Sequence, residues 1–183
     1  MNDSPTTGHR LLLLPGWLDS SAGHWQSRWQ ALHGCERVEQ SDWLWPKRGD
    51  WMARLDEVVQ ASAQPTVLIA HSLGCHLVAA WAAHSQHTGT VRAALLVAPP
   101  DIERADMPPN FAGWRVPARQ RLPFRALVVS SHDDPYGAPD CTARLAADWG
   151  ALVTRIGNRG HINDSSGLGD WPAGWALVDS LLR

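Results

Sequence analysis

Three positions of this 183-residue chain carry side chains that together suit acyl transfer: Ser72, Asp134 and His161. A serine hydroxyl attacks a carbonyl only when a base removes its proton, and an imidazole serves as that base only when an acid holds its ring in place. Ser72 sits in Ala70-His71-Ser72-Leu73-Gly74, directly after the apolar run Val67-Leu68-Ile69 and directly before the Ala-rich stretch Cys75–Trp81. The pattern is a strand that ends on a serine and turns at once into a helix, with small residues two before and two after so that strand and helix can approach. The usual form is G-x-S-x-G, and Ala70 keeps the volume small while giving up some backbone freedom. The turn also puts Ser72 at a helix N-terminus, where unpaired N–H groups favour a developing oxyanion.

The acid and the base are sought in loops that follow later strands. Ser130-Ser131-His132-Asp133-Asp134-Pro135-Tyr136 offers two carboxylates. Asp134 is preferred because it directly precedes a proline and lies three residues beyond Ser131; Asp133, its neighbour, stays as the alternative. Gly157-Asn158-Arg159-Gly160-His161-Ile162-Asn163-Asp164 offers the imidazole in a flexible, polar loop. His71 is read as pointing to the wrong side of the turn, and His76 and His84 lie along the following helix, so none takes the place of His161. Asn163 and Asp164 are expected to hold the His161 loop by local hydrogen bonds. The oxyanion is expected to meet the backbone N–H of Leu73 and a second one near Gly16-Trp17, where glycine lets the backbone come close. Losing one such donor costs roughly 3–4 kcal/mol of transition-state stabilisation at comparable sites.

These residues need a scaffold that brings strand ends together. Arg10–Leu14, Arg37–Gln40, Thr66–His71, Ala93–Ala98, Arg125–Ser130 and Ala151–Ile156 read as strands, the second of them weak. Helices are expected over 22–33 with Ser20/Ser21 as caps and Gly34 as the stop, after Asp50, from Ser72 to about His84, from Pro139 to Gly150, and from Pro172 through Leu182. A short helix is expected near Phe111–Val116 in the Pro- and Arg-rich connection. Strands alternating with helices predict an α/β fold: about six mostly parallel strands flanked by helices, joined by right-handed crossovers, with functional residues at the strands' carboxyl ends. The connection from Pro99 to Pro123 is too short for a cap domain, which predicts an open, shallow site for small or short acyl groups. One domain over 1–183 is expected, with 1–9 as a flexible N-terminal tail.

A formal charge of −2 offers no basic field for nucleic acid or an anionic membrane surface. The run Leu11–Leu14 is too short for a signal segment or a membrane span, so a cytoplasmic location is expected. Cys35, Cys75 and Cys141, an odd number without C-x-x-C spacing, read as free thiols rather than a disulfide framework or a zinc site. No metal or organic cofactor is implied, the expected partner is a small-molecule acyl substrate, and no feature designates a protein partner. Eleven tryptophans against one tyrosine and two phenylalanines is unusual. The i, i+4, i+7 spacing of Trp25, Trp29 and Leu32 is that of a buried helix face and puts most of the tryptophans, about three in four, in the core. Trp17, Trp43 and Trp45 are read either as the lining of an acyl pocket or as a cover for the sheet's edge.

The segments LLLLPGWLDSSAGHWQSRWQ, DWLWP, VLIAHSLGCHLVAAW, VAPPD, LPFRALVVSSHDDPY and GNRGHINDSSGLGDWPAGW follow one another almost end to end. Together they resemble the small serine hydrolases typified by retinoblastoma-binding protein nine and bacterial YdeN, with PGW where relatives often have HGW. The resemblance implies a compact α/β-hydrolase fold and a Ser-Asp-His triad that carries over to Ser72, Asp134 and His161. The expected activity is carboxylesterase-like: a serine hydrolase cleaving a small ester or related activated acyl bond through an acyl-enzyme on Ser72. Two alternatives share these residues: an amidase or aminopeptidase using the same triad, and a non-catalytic interaction module that keeps the fold. The second lacks the L-x-C-x-E peptide read by pocket proteins, since Leu32-His33-Gly34-Cys35-Glu36 has the wrong spacing.

Overall fold

In the computed structural model, which describes residues 6–183, six parallel strands form one sheet in the order β2-β1-β3-β4-β5-β6. The strands are β1 (Arg10–Leu14), β2 (Glu36–Arg37), β3 (Thr66–His71), β4 (Val91–Val97), β5 (Arg125–Ser130) and β6 (Leu152–Arg155). The helices are α1 (Trp25–His33), α2 (Arg48–Gln60), α3 (Leu73–Ala82), α4 (Pro139–Trp149) and α5 (Pro172–Leu181). The order reverses beside β1, so β1 and β3 lie side by side and their carboxyl ends meet where such sheets hold their ligands.

Continuous apolar runs become strands here because both faces of the sheet are covered. Within β1, Leu12 and Leu14 pack with α2, α3 and α4, whereas Leu11 and Leu13 pack with α1 and α5. The same two-residue alternation sends Leu68 and Ala70 to the first layer and Val67 and Ile69 to the second. Helix α3 is buried from Leu73 to Trp81, all but its last residue, consistent with its lack of a polar face. At the far edge, β6 leaves Leu152 and Val153 exposed.

Several element ends differ from expectation, and the hydrogen bonds explain them. Helix α1 starts at Trp25, capped by His24 rather than Ser20/Ser21. The two serines are engaged elsewhere, Ser20 donating to Gln26 Oε1 and Ser21 to Asp164 Oδ2, each at 2.7 Å. Strand β2 pairs only through Glu36 and Arg37, and after Val38 N–H donates to Leu13 O the chain leaves the sheet. Helix α2 begins ahead of Asp50, which sits in its first turn where a carboxylate suits the helix dipole. Strand β4 starts two residues early, at Val91, with a register shift opposite Thr66/Val67. A 3-10 turn over Pro109–Trp114 replaces the helix expected near Phe111–Val116. Of the expected tail, residues 1–5 lie outside the described residues; His9 N–H donates to Thr6 O, and Gly8 O accepts from Gln64.

Trp25, Trp29, Trp51, Trp81, Trp114, Trp149 and Trp171 are buried, Trp17, Trp43 and Trp175 pack partly covered against the core, and Trp45 is 56% exposed. No helix among the described residues is long and apolar enough to cross a membrane.

Candidate active site

Ser72 stands at the junction of β3 and α3 with φ 53° and ψ −123°, a backbone conformation that costs energy for any residue with a Cβ. Two close approaches hold it there. A Cβ on Gly74 would collide with the Leu14 carbonyl oxygen and come within 2.9 Å of Pro15 O, so glycine is what lets α3 start against the end of β1. A Cβ on Gly16 would lie 2.8 Å from Ser72 Cβ and 3.2 Å from Ser72 Oγ. The loop after β1 is therefore pressed against the serine at Gly16. Leu73, the first residue of α3, contributes one of the N–H groups that a helix leaves without an internal acceptor.

His161 Nε2 lies 2.8 Å from Ser72 Oγ, and His161 Nδ1 lies 3.0 and 2.9 Å from the two oxygens of Asp134. An ionised carboxylate only accepts, so the Nδ1 proton faces Asp134 and the Nε2 lone pair faces the Ser72 hydroxyl. Asp134 Oδ1 also accepts from Tyr136 N–H at 2.9 Å, which curls the loop around the carboxylate. The Tyr136 ring meets the His161 ring edge-on at 4.7 Å. The side chains of Asp134 and His161 are only 3% and 11% exposed, so their bond is shielded from water.

Asp133 faces away from that bond and serves the backbone. Its Oδ1 lies 2.6 Å from Ser131 Oγ and 2.8 Å from Gly160 N, while Ser131 Oγ accepts from Arg159 N. The hydrogen bond from Ser131, then that from the Gly160 amide, holds the Asp133 carboxyl below its ordinary range. Two more groups grip the His161 loop from beneath. His71 Nε2 meets His161 O at 2.9 Å, and Trp25 Nε1 donates to Ile162 O at 2.8 Å. Ile162, buried and at φ 51°, is strained, and these bonds keep it so. His71 thus occupies the site, against the reading that sets it on the wrong side of the turn; its ring is 5.0 Å from that of His161. Burial drives the His71 pKa well down, so it is neutral at pH 7. Burial also lowers His24, to about 4.

A cavity of about 500 Å³ opens over Ser72 and His161. Trp17 lines it, whereas Trp43 and Trp45 do not. Trp43 packs edge-on against Trp51 beneath, and Trp45 faces outward beside Pro46 and Asn110. The connection after β4, no separate domain, still contributes Pro100, Met107, Pro108 and Phe111 to the lining, and Phe111 meets Trp17 edge-on at 5.2 Å. It is fastened to the acid loop by Asp101 N–H to Tyr136 O and by Arg104 to Pro135 O. The connection thus walls one side of a cleft that stays partly open. Sequence reasoning missed His24, Met107, Phe111 and Tyr136 because loop packing brings them in, not spacing along one element. Asn163 accepts from Ser165 N–H, the local bond expected of it, whereas the Asp164 carboxylate accepts from the distant Ser21. Among the described residues no cluster of three or more His, Cys, Asp or Glu is placed to hold a metal, and Cys35, Cys75 and Cys141 are free and buried.

With this geometry in view, the family model described as Serine hydrolase matches residues 11–180. The chain belongs to the serine hydrolase family. Solved structures of the same fold include a YdeN-like hydrolase from Pectobacterium atrosepticum, 25% identical with a TM-score of 0.85, covering 97% of this chain and 92% of that one. The ydeN gene product of Bacillus subtilis is 21% identical with a TM-score of 0.72, covering 96% and 98%. The type II thioesterase BorB from the borrelidin biosynthetic cluster is 18% identical with a TM-score of 0.68, covering 97% and 92%. Against curated protein sequences no match is found. Membership in the family makes the chain a hydrolase of the α/β type, and the esterases and the thioesterase among its structural neighbours share that fold.

Proposed function

We propose that the protein hydrolyses a carboxylic ester through an acyl-enzyme on Ser72, with His161 as base then acid and Asp134 as the group that orients the ring and stabilises its imidazolium form. The observation that carries this reading is the unbroken hydrogen-bonded chain from Ser72 Oγ through His161 to Asp134 on the floor of a cavity. Ser72 Oγ adds to the ester carbonyl as its proton passes to His161 Nε2. The imidazolium returns that proton to the departing alcohol, and water, deprotonated by the same nitrogen, later releases the acid. The negative charge on the carbonyl oxygen is met by the Leu73 and Trp17 amides, a role supported by the α3 N-terminus and by the contact of Gly16 with Ser72. The apolar part of the lining, Trp17, Met107, Pro108 and Phe111, suits an acyl chain, and the cavity's volume admits one longer than acetyl.

Fluorophosphonate labelling and hydrolysis of a p-nitrophenyl ester series test the reading in the parent and in Ser72→Ala, Asp134→Asn and His161→Ala. Adduct on Ser72, and loss of several orders of magnitude in kcat for Ser72→Ala, are expected. A parent that neither labels nor turns over, or a Ser72→Ala protein of full activity, overturns it.

A further inference from the structure

The turn that carries the Trp17 amide is strained. Residues 16–19 are closed by Asp19 N–H donating to Gly16 O at 3.2 Å, and both Leu18 and Asp19 take left-handed backbone angles, φ 66° and 64°. Glycine is the usual occupant of such positions, because a Cβ there crowds the backbone. Other residues persist in that region only where their surroundings over-determine them, and they gather at functional sites. The Trp17 N–H inside this turn has no acceptor among the described residues, which leaves it free for an oxyanion.

Arg37 supplies the constraint. As the last residue of β2 it pairs beside Leu13 of β1, at the carboxyl end of the sheet where the loop to the turn begins. Its side chain is only 7% exposed, and all three guanidinium nitrogens donate. Nη1 reaches Asp19 Oδ1 at 2.5 Å and Ser20 O at 3.2 Å, Nη2 reaches Ser27 Oγ at 2.6 Å, and Nε reaches Gln30 Oε1 at 3.1 Å. Two of these acceptors belong to the end of the turn and two to α1, so one planar fork fastens the turn to a helix. That helix is itself anchored, since the Gln26 side chain donates to Ile69 O of β3 at 3.0 Å.

Building on the hydrolase reading above, we propose that Arg37 is a positioning residue for the reaction: acting through Asp19, it holds the 16–19 turn so that the Trp17 N–H meets the oxyanion. Arg37 touches no reacting atom. Without its guanidinium, Leu18 and Asp19 relax from their left-handed angles, and the peptide that carries the Trp17 N–H turns with them. The neutral carbonyl of the bound ester is a weak acceptor and loses little by this. The charged oxygen of the tetrahedral intermediate loses most of one donor, so the effect falls on the transition state.

The test uses Arg37→Met, which keeps the apolar stem and removes the guanidinium, and Asp19→Ala, which removes its acceptor at a partly exposed position. Two quantities are read: kcat and KM on p-nitrophenyl butyrate, and the Ki of 1,1,1-trifluoropentan-2-one. Ser72 Oγ adds to that ketone as its proton passes to His161 Nε2, leaving a charged oxygen where the oxyanion would lie. Both variants are expected to lower kcat about 10- to 100-fold with little change in KM, and to raise Ki by a similar factor. A purely structural role for Arg37 would lower the melting temperature and leave Ki alone. Parental kcat in either folded variant, a rise in KM at parental kcat, or a fall in kcat with Ki unchanged overturns the assignment while the hydrolase reading stands. If Arg37→Met fails to fold, Asp19→Ala decides. A parent that neither turns over nor is labelled by fluorophosphonate overturns the two together.

Discussion

Asp133 and Gly160 are joined side chain to backbone, the carboxylate Oδ1 accepting the amide N–H at 2.8 Å one residue ahead of His161. Adjacent carboxylates have thereby divided the work: Asp134 holds the imidazole ring and Asp133 holds the loop that carries it. Asp134→Asn leaves the loop in place but presents an amide to His161 Nδ1, and a fall of about 10⁴-fold in kcat is expected, as in other triads with that change. Asp133→Ala frees the loop without touching the ring, and a fall of about 10-fold is expected. Steady-state kinetics on one p-nitrophenyl ester checks both; equal losses would mean that the division of labour is wrong.

Gly16 and Gly74 serve one turn in different ways. A side chain on Gly74 meets backbone on β1 that has no room to move, so Gly74→Ala is expected to lower stability by about 1–3 kcal/mol or to prevent folding. A side chain on Gly16 meets Ser72 itself. Gly16→Ala is therefore expected to lower kcat more than it lowers the melting temperature, and thermal unfolding beside ester turnover separates the two cases.

The strand–serine–helix turn was legible because its requirements are local: an apolar run, small residues at fixed offsets, and an Ala-rich continuation. The order Ser72, Asp134, His161 was legible because the parallel α/β pattern fixes which ends of the strands face one way. The choice between Asp133 and Asp134 was weaker in sequence, since adjacent residues share every pattern and differ only in which way each side chain points. His71 was misplaced for the same reason: alternation along β3 sets its face, but the partner that holds it, His161 O, is ninety residues away. The serines at 20 and 21 look like helix caps until their acceptors are known, the Gln26 side chain inside α1 for Ser20 and the distant Asp164 for Ser21. Trp43 and Trp45 illustrate the limit of composition, because aromatic residues near a site and aromatic residues covering a core read alike.

Acid is expected to weaken the fold through its buried imidazoles. His24 and His76 are lowered to about 4, both mainly by burial, from an unfolded value near 6.5. Their neutral forms are the ones the fold accommodates, so the unfolded chain binds more protons between those limits. The stabilisation is present in full above pH 6.5 and is lost as pH falls toward 4, by roughly 3 kcal/mol for each histidine. His71, lowered in the same direction by burial, adds to the loss. Urea unfolding from pH 7.5 to 4 reads the slope, and His76→Gln is expected to make it shallower; stability that does not change over this range would contradict the account.

Trp25 links the unusual tryptophan content to the site. Its ring packs against Trp29 and Trp171, at 4.7 and 5.1 Å between centroids, while its Nε1–H reaches the Ile162 carbonyl next to His161. Trp25→Phe keeps most of the apolar contact and removes the donor, leaving the Ile162 carbonyl without that partner at a cost of about 1–3 kcal/mol. Because that carbonyl belongs to the residue after His161, kcat is expected to fall with stability while KM moves little. Trp45→Ala is the matched contrast: its ring is 56% exposed and lies outside the cavity, so stability should shift by no more than about 0.5 kcal/mol. Denaturant unfolding and ester kinetics on the pair decide the matter. A Trp25→Phe protein with parental kcat would show that the tryptophan cluster supports the core alone, and that His71 and Asp133 suffice to place His161.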